Sequence, residues 1–415
     1  MRAWRLAIWA ICLYSVTCGS GSTTPSAKIT LSGVVRDTVT SAPLGGARVE
    51  ITGGANSGQS ATADALGHYT LSNLVTGSMT LRATASNYVP QTTSVSPTAD
   101  LVTDFKLAAG LFSTSASAQD SLSLAPLVGV TATGADVGSS SSDGSGALSI
   151  FAATSSPSPR TIEITGPGMV TRNTSVRIPG DAAVLDLIPK AFDLTGFDQL
   201  VRSGGTLPLE RWTAAPGLIV VARTLQYVNS NSLVDAVATP EALTDEEVAS
   251  LVGDMSNGLP LMTGGTFTAF SSVVIQTPDA GQTVHLRNTG FVTVSRQLGL
   301  TNGSGIDALG YGSWQLLGPI VTGGTIALDQ TNDVGAFQKP VRYHELGHAL
   351  GYNHVTTRVS VMNPVCCSVI DPNPADQQAT RLAFRRLPGS LTPDKDPGSS
   401  LNELGLTPVW MPPIR

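Results

Sequence analysis

The sequence has little charge: only 13% of its 415 residues are Asp, Glu, Lys or Arg, and the net charge is −6. It has no basic stripe and no interleaving of basic with aromatic residues, so no nucleic-acid partner is expected. Cysteine is scarcer, with Cys12, Cys18, Cys366 and Cys367 making the full set. The first two belong to the leader, so the body of the chain holds one adjacent pair and disulfides do not build its fold. Cys366 and Cys367 either close a strained vicinal disulfide or stay reduced; they are not expected among metal ligands. Past the leader no apolar run is long enough to cross a bilayer. What the chain does have is 41% hydrophobic residues, which excludes a disordered polypeptide at this net charge. Gly, Ser and Thr are abundant around short runs of Val, Ile, Leu and Thr, a texture of strands and turns.

Residues 1–18 read as a signal peptide: Arg2 and Arg5 precede an apolar stretch over residues 6–16 that is too short to span a membrane comfortably. Ser15-Val16-Thr17-Cys18 follows, then Gly19-Ser20-Gly21-Ser22. Cys18 in this setting resembles the lipid-attachment site of bacterial lipoproteins, which implies lipidation at Cys18. Ordinary signal cleavage and a retained anchor are the alternatives. Each expects the bulk of the chain outside the cytoplasm, in the cell envelope or the extracellular space, touching a membrane only through that N-terminal anchor.

From Ile29 the pattern becomes strand-like. Ile29-Thr30-Leu31-Ser32-Gly33-Val34-Val35, Ala47-Arg48-Val49-Glu50-Ile51, the stretch from Ala63 to Leu71, and that from Met79 to Thr84 are apolar or alternating runs split by turn residues, the mark of a small β-sandwich. Ser32-Gly33-Val34-Val35-Arg36-Asp37, Pro43-Leu44-Gly45-Gly46-Ala47-Arg48-Val49 and Asp64-Ala65-Leu66-Gly67-His68-Tyr69 resemble the carboxypeptidase regulatory-like domain over residues 29–107. That resemblance implies a transthyretin-like sandwich acting as a spacer. Residues 115–190 form a second small β domain. Asp143-Gly144-Ser145-Gly146-Ala147-Leu148-Ser149-Ile150 echoes the segment from Asp64 to Leu71, so the domain is either a repeat of the first or an unrelated one with Gly-rich turns.

Residues 191–390 read as an α+β domain, so the whole is multidomain: β-sandwich domains followed by an α+β unit. A continuous apolar run over 217–221 predicts a strand covered on both faces. Thr244-Asp245-Glu246-Glu247 is a capping box, followed by Val248, Leu251, Val252 and Met255 at helical spacing. Further strands are expected at 273–276, 290–294 and 324–328. Pro340 can open a helix that Gly351 closes. Asn373-Pro374 starts another, with Ala379, Leu382, Ala383 and Leu387 inward. Residues 391–415 read as an irregular tail.

Three of the five histidines fall within His344-Glu345-Leu346-Gly347-His348-Ala349-Leu350-Gly351-Tyr352-Asn353-His354. On a helix, residues i and i+4 share a face, so His344 and His348 can aim at one ion. Gly351 can adopt the left-handed conformation that ends the helix and turns the chain, letting His354 arrive from outside it. Three neutral imidazoles with one open position describe a catalytic zinc site rather than a structural one. Zinc there activates a water, and Glu345, next to the first ligand, is placed to act as general base. An amphipathic helix that merely carries histidines is the bland alternative. His68 and His285 read as incidental, and Tyr343 and Tyr352 as packing.

This stretch, with Ser360-Val361-Met362-Asn363-Pro364 after it, resembles the metzincin zinc peptidases, most closely the matrixin branch. The resemblance implies one catalytic Zn2+ held by His344, His348 and His354, Glu345 as the base, and Met362 in a tight turn beneath the imidazoles. It also implies a substrate-pairing edge strand just before the zinc helix, for which Gly324, Thr325, Ile326 and Ala327 are the candidates; an ordinary sheet strand is the alternative. Val355 and Asn363 depart from the family pattern. The expected protein is a secreted or lipid-anchored zinc metalloendopeptidase acting on proteins or peptides. The alternative is a surface binding or adhesion protein whose peptidase fold is idle or self-processing. Calcium dependence stays open, since no compact acidic loop is present.

Overall fold

The computed structural model describes residues 28–153, 158–301, 308–365 and 369–397, and the backbone of 406–410. Cys18 and its leader, and the pair Cys366 and Cys367, lie outside the described residues. The chain is multidomain and strand-rich, with few helices, and divides into two compact units, Met1–Gly110 and Leu111–Arg415.

The first unit holds β1 (Lys28–Asp37), β2 (Arg48–Gly54), β3 (Ser60–Thr62), β4 (His68–Val75), β5 (Met79–Thr84), β6 (Gln91–Val95), β7 (Leu101–Val102) and β8 (Phe105–Leu107). One sheet runs β4-β1-β7, with β8 also on β1; the other runs β3-β2-β5-β6. Burial alternates strictly along β1, as a strand with one face on a core requires. Leu31, Val35, Val49, Ile51, Leu81 and Phe105 fill that core.

The second unit opens with β9 (Leu111–Asp120), β10 (Thr131–Thr133), β11 (Val137–Ser139), β12 (Ala147–Ala153), β13 (Ser158–Thr165), β14 (Arg172–Ile178) and β15 (Ala183–Leu187). Its first strand therefore begins four residues before the expected boundary at 115. β9 pairs antiparallel with β12 and parallel with β15, as β1 does with β4 and with β7 and β8. Local backbone devices recur too. The Asp37 carboxylate accepts the N–H groups of Val39 and Thr40, and Asp120 accepts those of Leu122 and Ser123. Asp64 and Asp143 each cap the following hairpin in the same way. Carboxylates that bind their own downstream backbone stabilise such turns, so the same residue type at the same turn yields the same path. The two sandwiches differ in that β3 pairs β2, whereas β11 pairs β12.

The rest of the second unit contains α1 (Leu194–Arg202), β16 (Gly217–Val221), β17 (Arg223–Gln226), β18 (Asp235–Ala242), α2 (Asp245–Met262), β19 (Val273–Gln276), β20 (Thr283–His285), β21 (Phe291–Leu298), β22 (Gly310–Leu317), β23 (Ile320–Asp329), α3 (Gln338–Ala349), α4 (Pro374–Phe384) and β24 (Leu406–Trp410). The strands form one mixed sheet in the order β20-β18-β17-β21-β23-β22-β24, with β16 between β21 and β19. β21 is buried along both faces, and the main core of Leu218, Val292, Leu259, Leu346 and Leu382 joins sheet to helices. The Thr244–Glu247 capping box forms.

Several expectations need correction. α1, capped by Asp193, carried no signal strong enough to predict it. α3 starts at Gln338, two residues before Pro340. α4 ends at Phe384, and Leu387 is exposed. Gly324, Thr325, Ile326 and Ala327 are not on an edge: β23 pairs with β21 on one side and β22 on the other. Nor are residues 391–415 merely an irregular tail. Asp394 and Asp396 are buried against Arg386 and Arg172, and Leu406–Trp410 is a strand. Asp396 accepts from Arg172 and Thr174 of β14, so this tail ties the second sandwich to the helical part.

Candidate metal centre

α3 is buried from Pro340 through Ala349. It can sit flat on the sheet because β22 offers glycines where it passes: a Cβ on Gly312 would stand 2.4 Å from His348 Cβ. The helix ends at Ala349 with Leu350 as its cap, and Gly351 follows with φ +101°, a conformation nearly closed to residues with a Cβ. That turn returns the chain toward the helix and delivers His354.

The three imidazoles converge. His344 Nε2 lies 3.0 Å from His348 Nε2, and both lie 3.2 Å from His354 Nε2. The opposite nitrogens are committed elsewhere. His344 Nδ1 donates to the Val361 carbonyl at 2.8 Å, and His348 Nδ1 donates to the Tyr352 carbonyl at 2.6 Å. With Nδ1 protonated in both rings, their Nε2 lone pairs face one another with no hydrogen between them. Burial depresses His344 to a pKa of about 3, with the neighbouring His354 adding to the effect and the Val361 carbonyl opposing it. Burial likewise holds His348 well below, and His354 below, the usual imidazole value. The rings are thus neutral at ordinary pH, the form that binds metal. Among the described residues no other group of His, Cys, Asp and Glu gathers in this way.

Glu345 is 1% exposed, and its Oε1 has no hydrogen-bond partner. Burial pushes its pKa well above the usual carboxylate value. Such a group is costly unless a cation or a substrate proton completes it. On β22, Tyr311 is pushed up to about 12, first by burial and then by the charges of Tyr227 and Glu345; it donates to the Thr301 carbonyl.

The Met362 sulfur lies 2.3 Å from where a Cβ on Gly347 would stand, and Met362 is buried. The turn carrying it is held by α4. Asp376 accepts the Ser360 hydroxyl at 2.6 Å, the Val361 N–H at 3.0 Å and Arg358 at 2.6 Å. Asp376 is there because Asn373 caps α4 and Asp376 closes the capping box. The same Val361 whose N–H binds Asp376 presents its carbonyl to His344, so a carboxylate on α4 positions a ring on α3 through one residue. Asn363 accepts the Ser360 N–H and donates to the carbonyls of Val355 and Arg358. The two residues that depart from the family pattern therefore bind each other and close the loop after His354.

Asp376, Tyr311 and the two carbonyls carry no motif of their own; the Asn373–Asp376 spacing of a capping box is the signal that could have pointed to Asp376. Tyr343 and Tyr352 are buried as packing residues, and Tyr352 also donates to the Met262 carbonyl. His68 is exposed, and His285 pairs at the surface with Asp235.

Residues 30–108 match the carboxypeptidase regulatory-like domain. No curated protein matches the chain. Among solved structures it is similar to the type II cohesin–X-dockerin complex of Acetivibrio cellulolyticus, with 29% identity over 20% of this chain and 58% of that one, at a TM-score of 0.17. It is also similar to the Bacillus anthracis TIE protein, with 10% identity over 62% of this chain and 51% of that one, at a TM-score of 0.25. The Lactobacillus rhamnosus GG shaft pilin SpaA is matched at 11% identity over 40% of this chain and 98% of that one, at a TM-score of 0.19. The chain thus spans little more than half the length of the first two. The family match covers the N-terminal sandwich alone.

Proposed function

We propose that this chain is a zinc metallopeptidase that hydrolyses peptide bonds at the centre formed by His344, His348, His354 and Glu345. One observation carries the reading: three Nε2 atoms converge, those of His344 and His348 with their lone pairs facing each other, near a buried carboxylate oxygen that has no partner. Facing lone pairs repel unless a cation lies between them. Zinc at about 2.0–2.1 Å from each nitrogen in tetrahedral geometry would space them by about 3.3 Å, close to the 3.0–3.2 Å seen. Three nitrogens leave a fourth position open, as a catalytic site requires.

When bound, zinc supplies Lewis acidity at that position. The chain's own residues do the rest. The Val361 and Tyr352 carbonyls fix the ring orientations of His344 and His348, and Met362 gives the rings an apolar floor. Glu345 takes the proton of the attacking water and passes it to the leaving amine nitrogen. Its buried surroundings raise its proton affinity toward what a base working near neutral pH needs. No covalent enzyme intermediate is involved. Export, with lipid attachment at Cys18, belongs to the same proposal and would bring the centre to extracellular proteins or peptides.

The second reading is a surface binding or adhesion protein built on its two tandem sandwiches; in its favour, the one family match falls on a domain without catalytic groups. Metal analysis and a casein assay, with and without a chelator, separate the two. The peptidase reading expects one zinc per chain and hydrolysis abolished by the chelator and restored by zinc. A zinc-loaded but inert protein favours the second.

A further inference from the structure

Between α3 and the end of the sheet lies β22, the strand that touches the candidate centre most closely. A Cβ on Gly310 would stand 2.8 Å from Glu345 Oε1, and one on Gly312 would stand 2.7 Å from the Glu345 carbonyl. On its inner side β22 pairs with β23; on its outer side, among the described residues, it pairs with β24, from Ser313 to Leu317. Without β24 that stretch would be an open edge leading to Gly310 and Gly312, which lie against Glu345. Such an edge accepts an extended peptide through main-chain hydrogen bonds.

β24 has the features of a removable occupant. It runs antiparallel to β22 in an unbroken register: Leu406 opposite Leu317, Thr407 opposite Leu316, Pro408 opposite Gln315, Val409 opposite Trp314 and Trp410 opposite Ser313. Among the described residues β22 is its one sheet partner. Trp410 is opposite the neighbour of Gly312, so the strand is directed toward the centre and ends about 10 Å, three residues of strand, short of Gly310. Pro408 has no N–H to give. It fits a strand only where its nitrogen faces away from the partner, which leaves the N–H groups of Thr407 and Val409 to hold β22. A segment held by a few bonds on one side persists because it is tethered, at an effective concentration that a free peptide does not reach.

We propose that Leu406–Trp410 is a built-in competitor that occupies the edge of β22 where an extended substrate would pair, so that substrate must displace the chain's own strand. The proposal rests on the metallopeptidase reading. The test compares the full chain with Val409→Pro, which removes a donor, and Val409→Ala, which keeps it.

Two measurements are made on each zinc-loaded protein: hydrogen exchange of the β22 amides from Ser313 to Leu317, and the kinetics of casein hydrolysis. In Val409→Pro, β22 exchange rises by about tenfold or more as the strand detaches, and KM falls by about fivefold with kcat held as the tethered competitor is lost. Val409→Ala matches the parent in both. Unchanged exchange in Val409→Pro overturns the pairing. Faster exchange with an unchanged KM overturns the competition while leaving the peptidase reading standing. Zinc-bound but inert parent and variants overturn the peptidase reading and the competition together, while exchange still decides whether the strand pairs.

Discussion

Replacing Asp376 by Ala removes a carboxylate that never meets a substrate, yet it should weaken zinc binding. Asp376 is 2% exposed and accepts from the Ser360 hydroxyl, the Val361 N–H and Arg358. Truncation leaves the first two buried without their acceptor, at about 1–3 kcal/mol each. Arg358 keeps its pairing with Asp193 at 3.1 Å, so its charge is not wholly orphaned and the full ~3–5 kcal/mol of a broken buried pair does not apply. A loss of about 2–6 kcal/mol in folding stability follows. The Val361 carbonyl then no longer holds His344 Nδ1 in place, and loss of such an outer partner lowers metal affinity by about 10–100-fold. Urea unfolding of the metal-free proteins measures the first quantity, and competition against a chromophoric chelator measures the second. Asp376→Asn keeps the shape and one acceptor and falls between parent and Asp376→Ala. A folded Asp376→Ala protein with the parent's zinc affinity would refute the claim that α4 positions His344.

Glu345→Ala keeps zinc at parental stoichiometry and lowers kcat by about 10²–10⁴-fold; metal analysis beside a peptide assay checks it, and retained turnover removes Glu345 from its role. His348→Ala loses the metal itself, visible as less than one zinc per chain after dialysis. Gly312→Ala puts a methyl group against His348 Cβ and the Glu345 carbonyl, and costs about 1–3 kcal/mol by overpacking; thermal unfolding that matches the parent would mean that α3 has room to move. The metal-free chain loses stability as pH falls below about 6.5, where an unfolded histidine takes up a proton. Burial holds the folded His344 pKa down to about 3 and that of His348 well below the ordinary value, so the folded state does not take up those protons in that window. Their stabilisation is whole above the unfolded pKa and lost as pH falls through the folded values. Urea midpoints at pH 7 and pH 5 measure it, and His344→Asn should flatten the slope; equal midpoints for the parent would contradict the burial.

Strands and helices whose residues answer to near neighbours were legible in advance. β1 alternates because one face meets a core, the Thr244–Glu247 box closes on itself, and Asp64 caps its own hairpin; each is local chemistry. α1 was not legible because its stability comes from packing. Phe197, Leu200 and Val201 are buried in the main core, and the helix is too short to declare itself by period. The edge assignment failed for a related reason. Residues 324–328 have the composition of a strand, but whether a strand is an edge depends on which distant segments pair with it, and β22 and β21 approach β23 from both sides.

Which atoms can gather at the centre follows from local chain geometry. Histidines at i and i+4 share a helix face, and Gly351 allows the turn that returns His354. What holds them there follows from long-range packing. The Val361 and Tyr352 carbonyls, the Asp376 carboxylate and the β22 backbone come from segments whose meeting is set by burial and sheet pairing over long chain separations. No short-range pattern records such meetings, because the energy that fixes them is shared among residues far apart in the chain.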